Sequence, residues 1–594
     1  MNANPTVASP DVDYQRIVYP YRRNADQDAH ARGDVARHPV VVVGAGPVGL
    51  CAAIDLALQG VPVVLLNNDG RLSVGSRALC FAKRTLEILD RLGCGQRLVD
   101  KGVSWGVGRV FFRDAQVYQF DLLAESGHQR PAFVNLQQYY VEGFLVERAL
   151  ELPLLDLRWH HGVTGVEPRD DHVALTVETP DGPYTLLADH VVACDGARST
   201  VRRLIGQESH GRTFQDRFLI ADVRMNAPFP AERWFWFDPP FHPGQSVLLH
   251  RQPDGVWRID FQLGWDADPE LEKRPERILP RVRTLMREAS RAAGGDGAVP
   301  DIELVWASVY TFACMRMDSF RHGRILFAGD AAHGVSPFGA RGANSGIQDA
   351  DNLAWKLAAV VQGRAPLALL DGYARERELA ADENLLHSTR STDFITPKSE
   401  ISRVFRDATL TLAKDFDFAR RLVNSGRLSV PTTQYGQPAP DAPIRIDGHD
   451  DWLLRQMRPG RFTALVFDTP PPTKGGQRVS LGPEWGLGVQ EGSPMPRGEP
   501  ALGLPQVDVA VRPLRELPHL LQEDVPLLLR IDDASDPHGL VRARYDAEPG
   551  LVVLLRPDQH VCARLHHPTA AELQSALRRA LAHDVALEET PACR

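Results

Sequence analysis

Gly44, Gly46 and Gly49 stand at G-x-G-x-x-G spacing in "VVVVGAGPVG", and Asp330 stands between Gly329 and Ala331 in "LFAGDAAHG". Each set points to a definite chemistry. Glycines let backbone amides come within hydrogen-bond reach of a pyrophosphate at the positive end of a following helix. A strand-end carboxylate can accept hydrogen bonds from hydroxyls of a sugar-like chain. The glycine spacing gains weight because it follows an all-valine strand and opens a helical pattern, "VGLCAAIDLALQG". An ordinary tight turn is the competing reading of the first set, and an aspartate that caps a turn is the competing reading of the second.

A dinucleotide site asks for an acid about 20 residues beyond the first glycine, at the end of the second strand, to grip a ribose. This chain has Asn67 there, in "LLNNDG". An amide still hydrogen-bonds a hydroxyl without charge assistance, and Asp69 can supply a carboxylate two residues later. Other catalytic sets are poorer. Ser336 in "GVSPFG" does not complete G-x-S-x-G, and His160/His161 and His566/His567 lack metal-ligand spacing, so no metal is expected. His333 reads as a loop histidine rather than a base, and Asp349 with Asp351 as a solvated helix face.

The elements that must hold these residues follow from pattern. "VVVV", a helix ending at Gly60 and "VPVVLL" make one βαβ unit of a Rossmann-like α/β domain. Alternating, aromatic-rich "ERWFWF", "SVLLHR" and "VWRIDFQL" predict an inserted antiparallel sheet. A helix burying Ile347, Ala350, Ala354, Leu357 and Val361 then begins at Gly342 to Ser345 and ends near Gly363. "TTQYGQPAPDAP" predicts a linker, followed by a strand pair in "GLVVLLRPDQHVCARL" and a helix opened by a capping box of Thr569 and Glu572. The division is an arm over 1–38, a nucleotide-binding domain over 39–210 and 316–430, a sheet domain over 211–315 and a separate domain over 431–594. In the arm, "YQRIVYPYRR" carries enough aromatic surface to lie against a neighbouring domain.

Composition narrows the class. The chain has 594 residues, 43% of them hydrophobic, and no apolar run approaches the roughly 20 that span a bilayer, so no membrane partner is expected. A net charge of -9 without a basic block leaves no nucleic-acid footprint. Seven cysteines without a C-x-x-C suit reduced thiols, and the first residues lack the pattern of a secretion signal or transit peptide, so a cytoplasmic protein is expected.

Taken with the amino-terminal glycines, "VVACDGARSTVRR" (191–203) and "RILFAGDAAHGVSPFGARGANSGIQDADNLAWKL" (324–357) resemble the three flavin fingerprints of the class A flavoprotein aromatic hydroxylases, the p-hydroxybenzoate and phenol hydroxylase family. The resemblance spans nearly the whole chain, since residues 431–594 look like the thioredoxin-like domain that phenol-hydroxylase relatives carry without a redox C-x-x-C. It implies one FAD held by both turns, with the ADP half on Gly44, Gly46 and Gly49 and the ribityl chain on Asp330. The helix start at Gly342, Ala343 and Asn344 would stabilise negative charge at flavin N1 and the C2 carbonyl. By the same resemblance Asp195 positions FAD and NAD(P)H, Arg77 in "VGSRAL" lies near the FAD phosphates or ribose, and Gln138 in "QYYVE" binds FAD. A structural turn, a surface arginine and a helix-face glutamine stay open as readings of these three.

The implied activity is a monooxygenase cycle in which NAD(P)H reduces FAD, oxygen adds at flavin C4a, and a hydroxyl passes to an electron-rich ring. The absence of a second G-x-G-x-x-G suits a nicotinamide that visits and leaves. Expected partners are a small aromatic substrate and O2, with a homodimer as the candidate assembly. Pro337 and Phe338 would line the substrate face of the flavin, with Trp234, Trp236 and Phe237 or Phe261 as ring contacts. Where the commoner family loop has Gly-Gln-Gly, this chain has Ala340, Arg341 and Gly342, and Arg341 reads equally as a cation for a carboxylate or phenolate and as a surface arginine. The alternatives are a flavin reductase, a halogenase or a non-hydroxylating FAD-binding protein on the same fold.

Overall fold

The computed structural model describes residues 13–75, 78–227, 229–292, 294–423, 437–467 and 525–584. From Arg37 the chain runs strand β1 (Arg37–Val43), helix α1 (Pro47–Leu58) and strand β2 (Val63–Asn67). Helix α2 (Lys83–Arg91), the hairpin β3 (Val107–Phe112) and β4 (Ala115–Asp121), and helix α3 (Gln138–Leu150) lead to β5 (Leu155–Trp159) and β6 (Tyr184–Ala193). Next come β7 (Arg217–Arg224), β8 (Arg233–Phe237), β9 (Ser246–Arg251), β10 (Val256–Leu263), helix α4 (Pro275–Ala292) and β11 (Glu303–Tyr310). The short strand β12 (Ile325–Phe327) precedes helices α5 (Gly342–Val361) and α6 (Leu369–Ile395).

The first sheet orders its core as β12, β6, β1, β2, β5, and every neighbouring pair in that run is parallel. Parallel strands are covered on both faces and therefore read as unbroken apolar runs. Val40, Val41 and Val42 are wholly buried. Because the strands are parallel, Phe327, Ala193, Val43 and Asn67 all end at one edge, the edge at which open α/β sheets bind ligands.

The second sheet has seven strands in the order β11, β7, β10, β9, β8, β3, β4. It takes β3 and β4 from residues 107–121, inside the span assigned from sequence to the nucleotide-binding domain, because those two strands extend its edge beside β8. Strand alternation gives it two different faces. Leu219, Ala221, Trp234, Trp236, Leu249, Ile259 and Phe261 pack against Ile278, Val282, Leu285 and Met286 of the amphipathic α4. Phe218, Phe235, Phe237 and Leu248 look the other way, into a cluster that includes Phe338 and Phe394.

In the C-terminal part, β13 (Thr463–Phe467) pairs in parallel with β14 (Leu527–Ile531) and antiparallel with β15 (Leu551–Leu555), which pairs antiparallel with β16 (Val561–His566). Helix α7 (Ala570–Ala580) opens on the Thr569/Glu572 capping box. A buried ionic network ties this part to the rest. Arg556 bonds Glu376 of α6 at 2.9 Å and Asp558 at 2.6 Å, Lys356 of α5 lies 3.0 Å from Glu376, and Arg84 of α2 reaches both Asp351 and the Asp558 carbonyl. The amino-terminal arm lies on the first domain, with the Tyr14 hydroxyl donating to Glu147 at 2.6 Å and Tyr19 stacked on Trp159. No described helix is long and apolar enough to cross a membrane.

Candidate flavin and substrate site

The first glycine turn leaves β1 where three strand ends meet. The Gly44 amide donates to Leu66 at 2.8 Å, and the Cys194 amide donates to Val43 at 2.8 Å. Gly44 has φ +103°, and a Cβ there would stand 2.6 Å from the Cys194 carbonyl oxygen; one on Gly49 would stand 1.9 Å from the Gly44 oxygen. Both positions therefore demand glycine for packing alone. Gly46 differs, since a Cβ there would meet nothing within 4 Å. Beside it the N-terminus of α1 has no side-chain cap. A dinucleotide pyrophosphate fits this arrangement: open space at the middle glycine, and unspent amides at the positive end of a helix.

Asn67 sits at the end of β2, and its carbonyl accepts from the Ala45 amide at 3.1 Å while its amide donates to the Asp69 backbone and carboxylate. It braces the glycine turn from the second strand, and Asp69 in turn accepts from the Arg71 amide at 3.0 Å. Gln138, in the first turn of α3, accepts from Ala78 and donates to Ser73 and Glu142, which shapes the 73–79 loop. Arg77 lies outside the described residues.

The two remaining fingerprints meet each other. Asp195 accepts from the Ser199 hydroxyl at 2.5 Å and from the Thr200 and Val201 amides at 2.7 and 3.0 Å, so its carboxylate caps the short helix that follows. Arg202 of that helix donates to the Ala331 carbonyl at 2.7 Å. Asp330 is exposed at the tip of this second turn, directly after Gly329. Beneath it, Asp349 accepts from the Gly329 amide at 2.9 Å, from His333 Nε2 at 2.6 Å and from Arg377 Nε at 2.6 Å. Burial would raise the Asp349 carboxyl, but His333 and Arg377 outweigh it and hold the group below the usual range. The solvated-face expectation for Asp349 and Asp351 is therefore corrected. Both are buried, because their cationic partners arrive from α2, α6 and the preceding loop.

The loop into α5 bridges the two domains. Phe338 is 2% exposed and packs edge-on against Phe218 of the second sheet, ring centroids 5.0 Å apart, whereas Pro337 is exposed. Asn344 accepts from the Ala82 amide and donates to the Cys80 and Ala340 carbonyls, locking the start of α5 to the short strand at 80–82. Gly342 and Ala343 open α5, whose N-terminus carries no side-chain cap and so offers its amides. Arg341 is corrected as a surface residue. It is 3% exposed, its guanidinium reaches Asn384 of α6, and burial pushes its pKa down to about 10.

The ring contacts need correction as well. Trp234, Trp236 and Phe261 face α4, on the side of the sheet away from the Phe338 loop, and only Phe237 of the four lies in the Phe338 cluster. The face turned to the loops carries polar residues that the sequence reading missed: Arg233, His250, Arg258, Asp260 and Tyr310. Gly75 packs on Trp306 of this face. Asp222 bonds Arg258 twice at 2.8 Å and accepts from Gln252 at 3.0 Å. Burial pushes the Asp260 carboxyl up to about 6, lowers the His250 imidazole well below its usual value and raises the Tyr310 phenol. Their only sequence signal was polarity at alternate positions of strands that otherwise read as core.

Residues 37–388 match the FAD binding domain family. A 3-(3-hydroxy-phenyl)propionate/3-hydroxycinnamic acid hydroxylase of Mycolicibacterium smegmatis is 28% identical over 91% of this chain and 92% of its own length. A 12-dehydrotetracycline 5-monooxygenase/anhydrotetracycline 6-monooxygenase of Streptomyces rimosus is 34% identical over 73% of this chain and 86% of its own. Among solved structures, the flavin-dependent monooxygenase PieE, in complex with FAD and substrate, superposes with a TM-score of 0.71 at 22% identity, covering 92% of this chain and 99% of that one. That likeness is one of fold.

Proposed function

This chain belongs to the FAD binding domain family and is an FAD-dependent aromatic hydroxylase, and on that premise we propose that it hydroxylates a phenolic or aromatic-acid substrate with NAD(P)H and O2. The observation that carries the reading is the meeting of two uncapped helix N-termini, since a Cβ on Gly346 near the start of α5 would stand 2.6 Å from Val48 in the first turn of α1, next to a loop whose Phe338 packs on the second sheet. Bound there, FAD supplies hydride acceptance and oxygen activation, while the protein supplies binding, orientation and a dry enclosure.

In this reading Gly44, Gly46 and Gly49 take the pyrophosphate, with Asn67 bracing their turn. Asp330 faces the ribityl hydroxyls, Asp195 sets the middle turn, and Gly342, Ala343 and Asn344 present amides to the pyrimidine edge of the flavin. Pro337 and Phe338 form the wall between flavin and substrate, and Arg341 holds their loop from beneath. Arg77 and Gln138 keep their proposed places on the cofactor. The order of the C-terminal sheet, with one parallel pair and two antiparallel pairs followed by a helix, supports a thioredoxin-like domain, and a homodimer is retained as the assembly.

The test is NAD(P)H oxidation by the FAD-loaded protein against phenols and phenolic acids, with product mass. A hydroxylase oxidises the nicotinamide faster with substrate and yields a product heavier by one oxygen. Faster oxidation that yields only hydrogen peroxide with every ring would favour a reductase.

A further inference from the structure

On the sheet face opposite α4, one carboxylate and one guanidinium each keep a buried atom without a hydrogen-bond partner among the described residues. Asp260 is the only residue of β10 that is not fully buried, and Arg233 holds the same place in β8. Both strands lie inside the seven-stranded sheet, and α4 covers the opposite face. The face they share is the one on which Phe218 meets Phe338 of the loop before α5. Among the described residues, Asp260 Oδ1 and Arg233 Nε are buried atoms without a hydrogen-bond partner, and the second Asp260 oxygen lies 3.9 Å from His250 Nε2.

The neighbouring charges are already committed. Asp222 and Arg258 form a doubly hydrogen-bonded pair and neutralise each other. Burial keeps His250 uncharged, and it raises the Tyr310 phenol and the Cys80 thiol so that both stay protonated. Arg258 also acts on Asp260 through space, and Asp260 on Arg233, but among the described residues Asp260 Oδ1 and Arg233 Nε keep open hydrogen-bonding positions that a ligand can meet. Arg233 pairs with His250 and Asp260 with Leu248, so one strand, β9, and a two-residue offset separate them, about 12 Å between backbones, on the order of one substituted ring once two side chains lean in.

We propose that Asp260 and Arg233 are the two polar ends of the substrate seat: Asp260 accepts the hydrogen bond of a ring hydroxyl and takes its proton during hydroxylation, and Arg233 holds an anionic group at the other end of the same molecule. The proton balance is simple. The substrate O–H bond breaks as Asp260 Oδ1–H forms, the electron pair stays on the ring oxygen and enriches the ring, and the proton leaves to solvent with product. The assignment rests on the hydroxylase reading and narrows its substrate to a phenol with a short acidic substituent.

The experiment uses the FAD-loaded enzyme with two probes, 3-(3-hydroxyphenyl)propionate and its neutral analogue 3-propylphenol. Binding is followed by fluorescence quenching and turnover by product formation, from about pH 5 to about pH 8. Arg233→Gln should weaken the acid ten-fold to a hundred-fold, the scale of a charge-assisted bond of about 1.5 to 3 kcal/mol, and leave the neutral phenol within about three-fold. Asp260→Asn should keep FAD and bind the acid within a few-fold, yet lose about a hundred-fold or more in hydroxylation. It should also lose the acidic limb near pH 6 of the kcat/KM profile, and Asp260→Glu should restore part of both. An Arg233→Gln that weakens both probes equally, or an Asp260→Asn that keeps the acidic limb, overturns the assignment. If the wild type hydroxylates neutral phenols but not the acid, this inference falls and the hydroxylase reading stands; if no phenol is hydroxylated, the reading itself falls.

Discussion

Arg202 donates a 2.7 Å hydrogen bond to the carbonyl of Ala331, so the middle fingerprint is fastened directly to the turn that carries Asp330. A guanidinium can do this because both turns leave neighbouring strands, β6 and β12, at the same edge of the sheet. Arg202→Met keeps the length of the side chain and removes the bond. FAD affinity should fall by about ten-fold to a hundred-fold, the scale of one charge-assisted bond, while the helix cap made by Asp195 and Ser199 holds the local fold. Titration of the apoprotein with FAD, followed by flavin fluorescence, measures it; unchanged affinity would mean the two turns hold their spacing without the link.

At Gly46 a side chain meets open space, whereas at Gly49 it meets the Gly44 carbonyl oxygen. Gly46→Val should therefore fold with a near wild-type melting temperature and purify without yellow colour, because only the space for the pyrophosphate is filled. Gly49→Val should fail at folding itself. A yellow Gly46→Val protein would remove the pyrophosphate from this turn.

Asn67 braces Ala45 from the end of β2. Asn67→Asp keeps an acceptor for the Ala45 amide, although it sets a carboxylate against the Asp69 carbonyl and carboxylate, and should retain FAD better than Asn67→Leu. Asn67→Leu leaves that amide unpaired, at a cost of about 1 to 3 kcal/mol, and should weaken FAD by a comparable factor. Equal affinity in the two variants, measured by the same titration, would show that the turn does not need the brace.

Glu376 is buried between Arg556 and Lys356, and although burial opposes ionisation, these two cations pull its carboxyl down to about 2. A carboxyl depressed in the folded state stabilises above its unfolded value, near 4.3, and that contribution is lost as pH falls toward about 2. Glu376→Gln takes the nearest carboxylate from Lys356 and leaves Arg556 with Asp558 alone, and should destabilise the enzyme by about 3 to 5 kcal/mol near neutral pH. The gap to wild type should narrow as denaturant unfolding is repeated from about pH 7 down to about pH 3. A gap independent of pH would place the effect in packing rather than charge.

Much of the architecture is local and could be read directly. An all-valine run must lie in a sheet covered on both faces, glycines at fixed spacing must make a turn, a 3-4-3-4 apolar pattern must make a helix, and Thr569 with Glu572 must cap one. These signals depend on residues within a turn or two of each other, and β1, α1, β2, α5 and α7 stand where they point. What the alternating strands could not disclose was direction. Trp234, Trp236 and Phe261 occupy the same kind of position in their strands as a pocket residue would, and only the docking of α4 turns them away from the loops. Charge was equally silent. Asp349 and Asp351 look like a wet helix face until Arg377, His333, Arg91 and Arg84 arrive from distant segments to bury them, and Asp260 stands out because, among the described residues, its Oδ1 is buried without a hydrogen-bond partner. The sequence alone determined the elements and the glycine turn after β1, because periodicity and turn chemistry act over a few residues. The tertiary structure decided which face of the second sheet turns to α4 and which to the Phe338 loop, and which charges are spent, because a buried charge is stable only with partners that long-range packing brings to it.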